Sequence, residues 1–365
     1  MKKINLLCLL GLFSLMAFAE VPVGYYESAE GKQGDELRLA LQGVIDNHTV
    51  VSYDALRYLY EYSDTENAAG SKIIDIYSTC GFAYTTSFCS GSCGGGYNRE
   101  HSVPKSWFNE GSPMYSDAFH LYPTSCYVNS YRGNDPLGES ATGTKCTTNS
   151  MTQALGRRGN SSFAGYSGVV FEPDDEYKGD LARTYFYMAT RYADKCATWS
   201  GGMFGSAYSG FTTYGRDVLL KWNRQDPVSA KEILRNEVIY GNSTYNKGNY
   251  KQNNRNPFID YPVLAEYIWG TKNGESWYGA STPVEQVTFA RLQVYPNPAN
   301  EVVSITVDGV DQFTYTIFDI SGQMLQSGMA QSDDLVSISQ LNGGVYVLQI
   351  AANGKNQVVK LVVTK

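Results

Sequence analysis

The sequence predicts an α+β protein: a mostly helical domain with a few strands over residues 20–275, followed by a small all-β sandwich over 291–365. Three observations carry that expectation. Apolar residues recur at helical spacing up to Gly270 and alternate with period two from Leu292 onward. Between the two patterns the composition turns polar and Gly/Ser/Pro-bearing, which sets a linker at 276–290. The apolar fraction of 42%, with 29 tyrosines against 15 Phe and 5 Trp, is that of a globular chain whose tyrosine rings pack on apolar surface while keeping a polar tip.

In chain order, residues 1–19 (MKKINLLCLLGLFSLMAFA) join a basic start, an apolar run and a small-residue end. That is a secretory leader with cleavage after Ala19. A retained membrane anchor is the competing reading, and the run is short for a span. Residues 34–48 place Leu37, Ala40, Leu41, Val44 and Ile45 on one helical face, with His48 as a cap at its C-terminal end. A second helix follows Ser52. Residues 179–195 read as a buried helix, with Leu181, Tyr185, Met188 and Tyr192 in register. Ser229 and Glu232 form a capping-box pattern ahead of a helix that stops at Gly241. Asp260 is expected to cap a last helix ending at Gly270. In the tail, VVSITV, FTYTIFDI, LVSISQL, VYVLQIA and VVKLVV are separated by the turn pairs Ser321-Gly322, Asn342-Gly343 and Asn353-Gly354. Short strands in this number read as a sandwich. The tail holds neither histidine nor cysteine, so it is a binding, packing or sorting module.

Six cysteines remain after the leader: Cys80, Cys89, Cys93, Cys126, Cys146 and Cys196. An even number in an exported chain predicts three disulfides of unassigned connectivity. A zinc site on Cys89 and Cys93 is the alternative, but no second pair stands at finger spacing. The net charge is −7, and because the basic leader offsets the acidic tail, residues 20–285 carry that same −7 alone. This counts against a protein that coats nucleic acid through a broadly basic surface.

Chemistry concentrates in two runs. YNREHSVPKSWF (97–108) puts Glu100 beside His101, and DAFHLYPTSCYVNSYRGNDPLGE (117–139) supplies Asp117, Asn129, Arg132 and Asn134. Neutral imidazole is a general base near physiological pH, and a carboxylate and an amide oxygen suit a hard cation that keeps most of its coordination for water and phosphate. The expected site is therefore one for metal-dependent phosphodiester hydrolysis. His101 is its base, Glu100 and Asn129 hold Mg²⁺ (or Mn²⁺/Ca²⁺), and Arg132 serves catalysis by holding phosphate or by pairing with a site carboxylate. FHLY forms a short strand and TSCYVNSYRGN a helix with Asn129 and Arg132 on one face. Pro104 keeps Val103 extended. His120 reads as structural, Asp117 as a turn cap, and Lys105 as either a solvated side chain or a phosphate contact.

These runs resemble the secreted endonuclease I family of bacteria. FEPDDEYKGDLARTYFYMATRY, WNRQDPV and NRNPFIDYPVLAEYIWG extend the resemblance over residues 22–275. It implies a ββα-metal (His-Me finger) core and a non-specific nuclease acting on DNA, often also RNA, with Mg²⁺ or a similar cation. It also implies His101 as base and Glu100 and Asn129 as metal ligands, with 5′-phosphate ends as the expected product. A phosphate-binding arginine of some members lies in an insertion absent here, and some have histidine where Phe119 stands. Residues 292–365, with VYPNPAN, FDISGQ and LNGGVYVLQI, resemble the C-terminal sorting domain of type IX secretion. That implies a periplasmic passage, the secretion machinery as partner, and a secreted or cell-surface destination. A monomer is expected. The alternative is a catalytically inactive surface protein that binds nucleic acid or adheres. No G-x-S-x-G or H-E-x-x-H run supports another hydrolase.

Overall fold

The structure, a computed structural model, describes residues 21–66, 72–88, 96–146, 154–279, 292–319, 324–352 and 355–365. The leader, Cys89, Cys93, most of the linker and the Ser321-Gly322 and Asn353-Gly354 pairs lie outside them. Contacts divide the chain into two units, Met1–Gly279 and Ala280–Lys365.

In the first unit α1 (Gly34–Ile45) buries Leu37, Leu41 and Ile45, and α2 (Leu56–Ser63) follows a turn in which Ser52 accepts from the Ala55 amide. His48 lies beyond α1 and does not cap it. It is buried, and its Nδ1 accepts from Arg191 Nε at 3.0 Å, because a guanidinium next to it is a better partner than a helix end three residues away. Next come β1 (Tyr97–His101), β2 (Leu121–Ser125) and α3 (Cys126–Arg132). The strand expected at FHLY starts only at Leu121, since Ala118–His120 is a 3-10 turn that Asp117 caps by accepting the Phe119 amide. A three-stranded sheet is built from β3 (Thr144–Lys145), β4 (Arg157–Asn160) and β5 (Val169–Glu172).

The core is centred on α4 (Lys178–Arg191), buried on every side. Phe186 stacks on Trp269 at 5.0 Å, and Tyr185, Tyr187 and Tyr192 are fully buried. Each such side chain contributes roughly 1.5–3 kcal/mol or more of burial. A short hairpin of β6 (Phe204–Gly205) and β7 (Gly210–Phe211) leads to α5 (Thr213–Gln225). In α6 (Ala230–Tyr240) the capping box forms as read: Ser229 Oγ accepts the Glu232 amide and the Glu232 carboxylate accepts the Ser229 amide, and the helix stops at Gly241 with φ 96°. Asp260 does not cap the final helix. It ends α7 (Pro257–Asp260), and its carboxylate is taken by Arg255 at 2.7 and 2.8 Å, by the Tyr26 hydroxyl at 2.6 Å and by Asn236 at 2.8 Å. The following α8 (Leu264–Ile268) starts without a side-chain cap. Beyond it Trp277 is buried and exchanges backbone hydrogen bonds with Gly31 and Lys32.

The three-disulfide expectation fails. Cys126, Cys146 and Cys196 are buried thiols, the Cys196 Sγ donating to the Ala189 carbonyl at 3.5 Å, while Cys80 is disulfide-bonded.

The second unit is two antiparallel sheets around one core. One orders β11 (Met324–Gln331), β10 (Gln312–Phe318), β13 (Gly344–Ala352) and β14 (Lys355–Val363); the other orders β12 (Leu335–Ser337), β9 (Val302–Val307) and β8 (Leu292–Tyr295). Alternate residues Val303, Ile305 and Val307 face Ile317, Leu348, Ile350 and Leu361. Asn297 of the VYPNPAN run ties the first sheet: its amide donates to the Lys360 carbonyl and its oxygen accepts the Val362 amide. The Asn342-Gly343 pair joins the two sheets rather than closing a hairpin, since β12 pairs with β9 and β13 with β10 and β14.

Candidate active site

β1 and β2 pair antiparallel with Glu100 opposite Tyr122 and His101 opposite Leu121, and α3 leaves β2 without a break. The order is strand, strand, helix, and it carries Glu100, His101, Asn129 and Arg132. Alternation along β1 sends Glu100 to one side and His101 to the other.

His101 is held by its own loop. Its Nε2 lies 2.9 Å from the Tyr115 carbonyl oxygen, which can only accept, so Nε2 carries the proton and Nδ1 keeps its lone pair. Tyr53 stacks along the imidazole (5.4 Å, 21°), and Tyr115, Phe108 and His120 complete the wall. Burial pushes His101 down to about 3, with His120, Lys105 and Arg99 acting in the same direction. The ring is therefore neutral throughout the physiological range. His120 is fully buried with Nε2 on the Met114 carbonyl at 2.7 Å, and its own carbonyl accepts from the Ser102 amide: a structural histidine.

Glu100 is 2% exposed. Its Oε1 accepts from the Tyr77 hydroxyl at 3.0 Å and pairs with Arg132 Nη1 at 3.1 Å. Burial raises its pKa to about 7 against the opposing pull of Arg132 and Tyr77. Arg132, 1% exposed, also donates to the carbonyls of His101 (3.2 Å) and Ser102 (2.7 Å). Of the two roles open to it, the structure gives it the carboxylate pairing; a guanidinium so enclosed has no face left for a substrate phosphate. Asn129 is half-buried one turn earlier on the same face of α3, and its amide makes no hydrogen bond among the described residues. Asp117 accepts from the Phe119 amide and from the hydroxyls of Tyr187 and Tyr192, deep in the core.

Glu100 Oε2 and the Asn129 amide oxygen are thus hard donors with no hydrogen-bond partner among the described residues, a donor type that fits a divalent cation completed by water and phosphate. No cluster of three or more His, Cys, Asp or Glu able to hold a metal occurs among the described residues. A one-carboxylate, one-amide site is not of that kind. The cavity lined by Lys72, Asp75 and Lys231 contains none of these side chains.

Sequence reasoning missed Tyr77 and Asp75. Asp75 accepts from Thr124 and from the amides of Ser125, Tyr77 and Ser78, joining the segment that bears Tyr77 to β2. Neither lies in a motif run; only the DIY stretch at 75–77, an acidic residue inside an apolar segment, hinted at it.

Residues 33–263 match the family model described as Endonuclease I, and 293–364 match that of a secretion system C-terminal sorting domain. The chain is 36% identical over 258 residues to an extracellular ribonuclease of Bacillus amyloliquefaciens, covering 67% of this chain and 78% of that one. It is 35% identical over 249 residues to an extracellular ribonuclease of Bacillus subtilis, with the same coverage. A crystal structure of dimeric latent PorU from Porphyromonas gingivalis aligns with 20% of the chain at 15% identity and a TM-score of 0.16, too low to bear on fold or function. The protein is a nuclease with a secreted or cell-surface destination, and the chain belongs to the Endonuclease I family.

Proposed function

We propose that this nuclease is a metal-dependent, non-specific endonuclease that hydrolyses DNA and RNA to 5′-phosphate ends, with His101 as general base and one divalent cation on Glu100 and Asn129. The observation that carries it is the Nε2–H bond to the Tyr115 carbonyl, which leaves Nδ1 unprotonated. Nδ1 accepts a proton from water as the water oxygen attacks phosphorus. The bond from phosphorus to the 3′ oxygen breaks, and solvent protonates the departing oxygen. A phosphate beside the ring raises the basicity that burial has lowered. Arg132 and Tyr77 fix one oxygen of Glu100 and so orient the other. The cation, Mg²⁺ or Mn²⁺/Ca²⁺, supplies when bound neutralisation of charge on the phosphate and leaving oxygens.

RNA is favoured among the substrates because both named relatives are ribonucleases. The sorting domain makes the type IX machinery the partner in export, and the mature enzyme is proposed to act as a monomer.

Plasmid and RNA digestion with and without EDTA tests the reading. Chelation is expected to stop cutting, and His101→Ala to lower it roughly 10²–10⁴-fold. Full activity in either arm removes the cation or the base from the mechanism.

A further inference from the structure

Arg99 stands two residues before His101 on β1, so the two side chains share a face. Both meet Tyr53: the His101 ring stacks along it, and the Arg99 guanidinium lies 3.7 Å from its centroid. The guanidinium also lies over the Phe88 ring, 4.2 Å from its centroid, and Nη1 donates to the Tyr53 carbonyl at 2.6 Å. The plane of the guanidinium is thereby fixed beside the imidazole.

Its charge is not neutralised. Every other arginine among the described residues is paired with a carboxylate, and Arg99 is not. Nε is buried without a hydrogen-bond partner, and Nη2 makes none among the described residues. In a chain of net charge −7, an unmatched cation two residues from the proposed base is an exception that calls for an anion. The other nearby cations are occupied: Arg132 by Glu100, and Lys105 by Glu110 at 2.8 Å.

We propose that Arg99, clamped between Tyr53 and Phe88, is the phosphate-binding residue of this site. Its free edge takes a non-bridging oxygen of the substrate phosphate at or next to the bond that His101 acts on. This rests on the reading of His101 as the base, and it names the contact that brings the backbone to that base. The clamp substitutes for side-chain freedom: a guanidinium pinned by two rings loses little entropy on binding phosphate.

The test uses full-length protein. Binding of a fluorescent single-stranded DNA oligonucleotide is measured against salt in His101→Ala, with and without Arg99→Gln. Turnover is measured in Arg99→Gln and Arg99→Lys with His101 intact. Removing one phosphate contact is expected to flatten the slope of log K against log salt by about 0.7. kcat/KM should fall roughly 10–100-fold in Arg99→Gln, the worth of a charge-assisted hydrogen bond. Arg99→Lys should keep the slope but recover only part of the rate. An unchanged slope in Arg99→Gln makes Arg99 a packing residue and overturns the proposal, whatever happens to turnover. Should Arg99→Gln fail to melt cooperatively, Arg99→Lys decides: wild-type kcat/KM overturns it and a several-fold loss with the slope kept supports it. If His101→Ala cuts like wild type, the base assignment falls while the slope comparison still judges Arg99.

Discussion

The Asp117 carboxylate, 1% exposed, is held ionised in the core. Burial raises its pKa, but the neighbouring His48 and His120 and the donors Tyr192 and Gln252 outweigh burial and leave it below the usual carboxylate value. A group whose folded pKa is depressed contributes stability above its unfolded pKa, about 3.9, and loses it as pH falls through the folded value. Asp117→Asn should therefore cost about 2 kcal/mol at pH 7, the worth of hydrogen bonds to a charged acceptor, and the gap from wild type should close below about pH 4. Urea melts at pH 7 and pH 3 measure it; an equal gap at both would assign the cost to packing. At this scale the sequence was legible where chemistry is local. Glu100 and His101 are neighbours in the chain, so the sequence alone could propose them together. It was illegible for Arg132, because nothing in SYRGN tells a phosphate ligand from a buried partner of Glu100.

Among the elements, the α3–β1 contact decides how Glu100 is presented. Arg132 reaches across it to one carboxylate and to the carbonyls of His101 and Ser102, so one side chain satisfies three acceptors at the end of β1. Removing it leaves a buried carboxylate uncompensated, and Arg132→Met should destabilise the protein by about 3–5 kcal/mol. Denaturant unfolding checks this, and a loss under 1 kcal/mol would mean that Glu100 is not held by the pair. The capping box shows the opposite case. Ser229 should be worth about 1 kcal/mol on mutation to Ala, measured the same way, because its partners lie within one turn. That locality is why SAKE could be read directly. Asp260 followed the same local rule and broke it, since Arg255 and Tyr26 offered a charged partner and a hydroxyl that no helix terminus matches.

For the whole molecule, the two units are separately packed, each around its own apolar core. A chain ending at Gly279 is expected to keep wild-type cutting in vitro and to lose export; loss of cutting would tie the sandwich to catalysis. An acidic domain with a single unpaired arginine at its site should also bind nucleic acid weakly, with a shallow salt dependence, and a steep slope would show more phosphate contacts than Arg99 supplies. The helical and period-two patterns, the sorting-domain run and the adjacent Glu100-His101 pair are properties of neighbouring residues, so the chain by itself determined the fold class and the secreted destination and pointed to the proposed base. Which buried arginine meets which carboxylate, which cysteines stay as thiols, and that Arg99, among the described arginines, has no carboxylate partner were decided only by the tertiary structure. Those outcomes depend on desolvation and on contacts between residues tens to hundreds of positions apart, where burial makes pairing compulsory and packing alone chooses the partner.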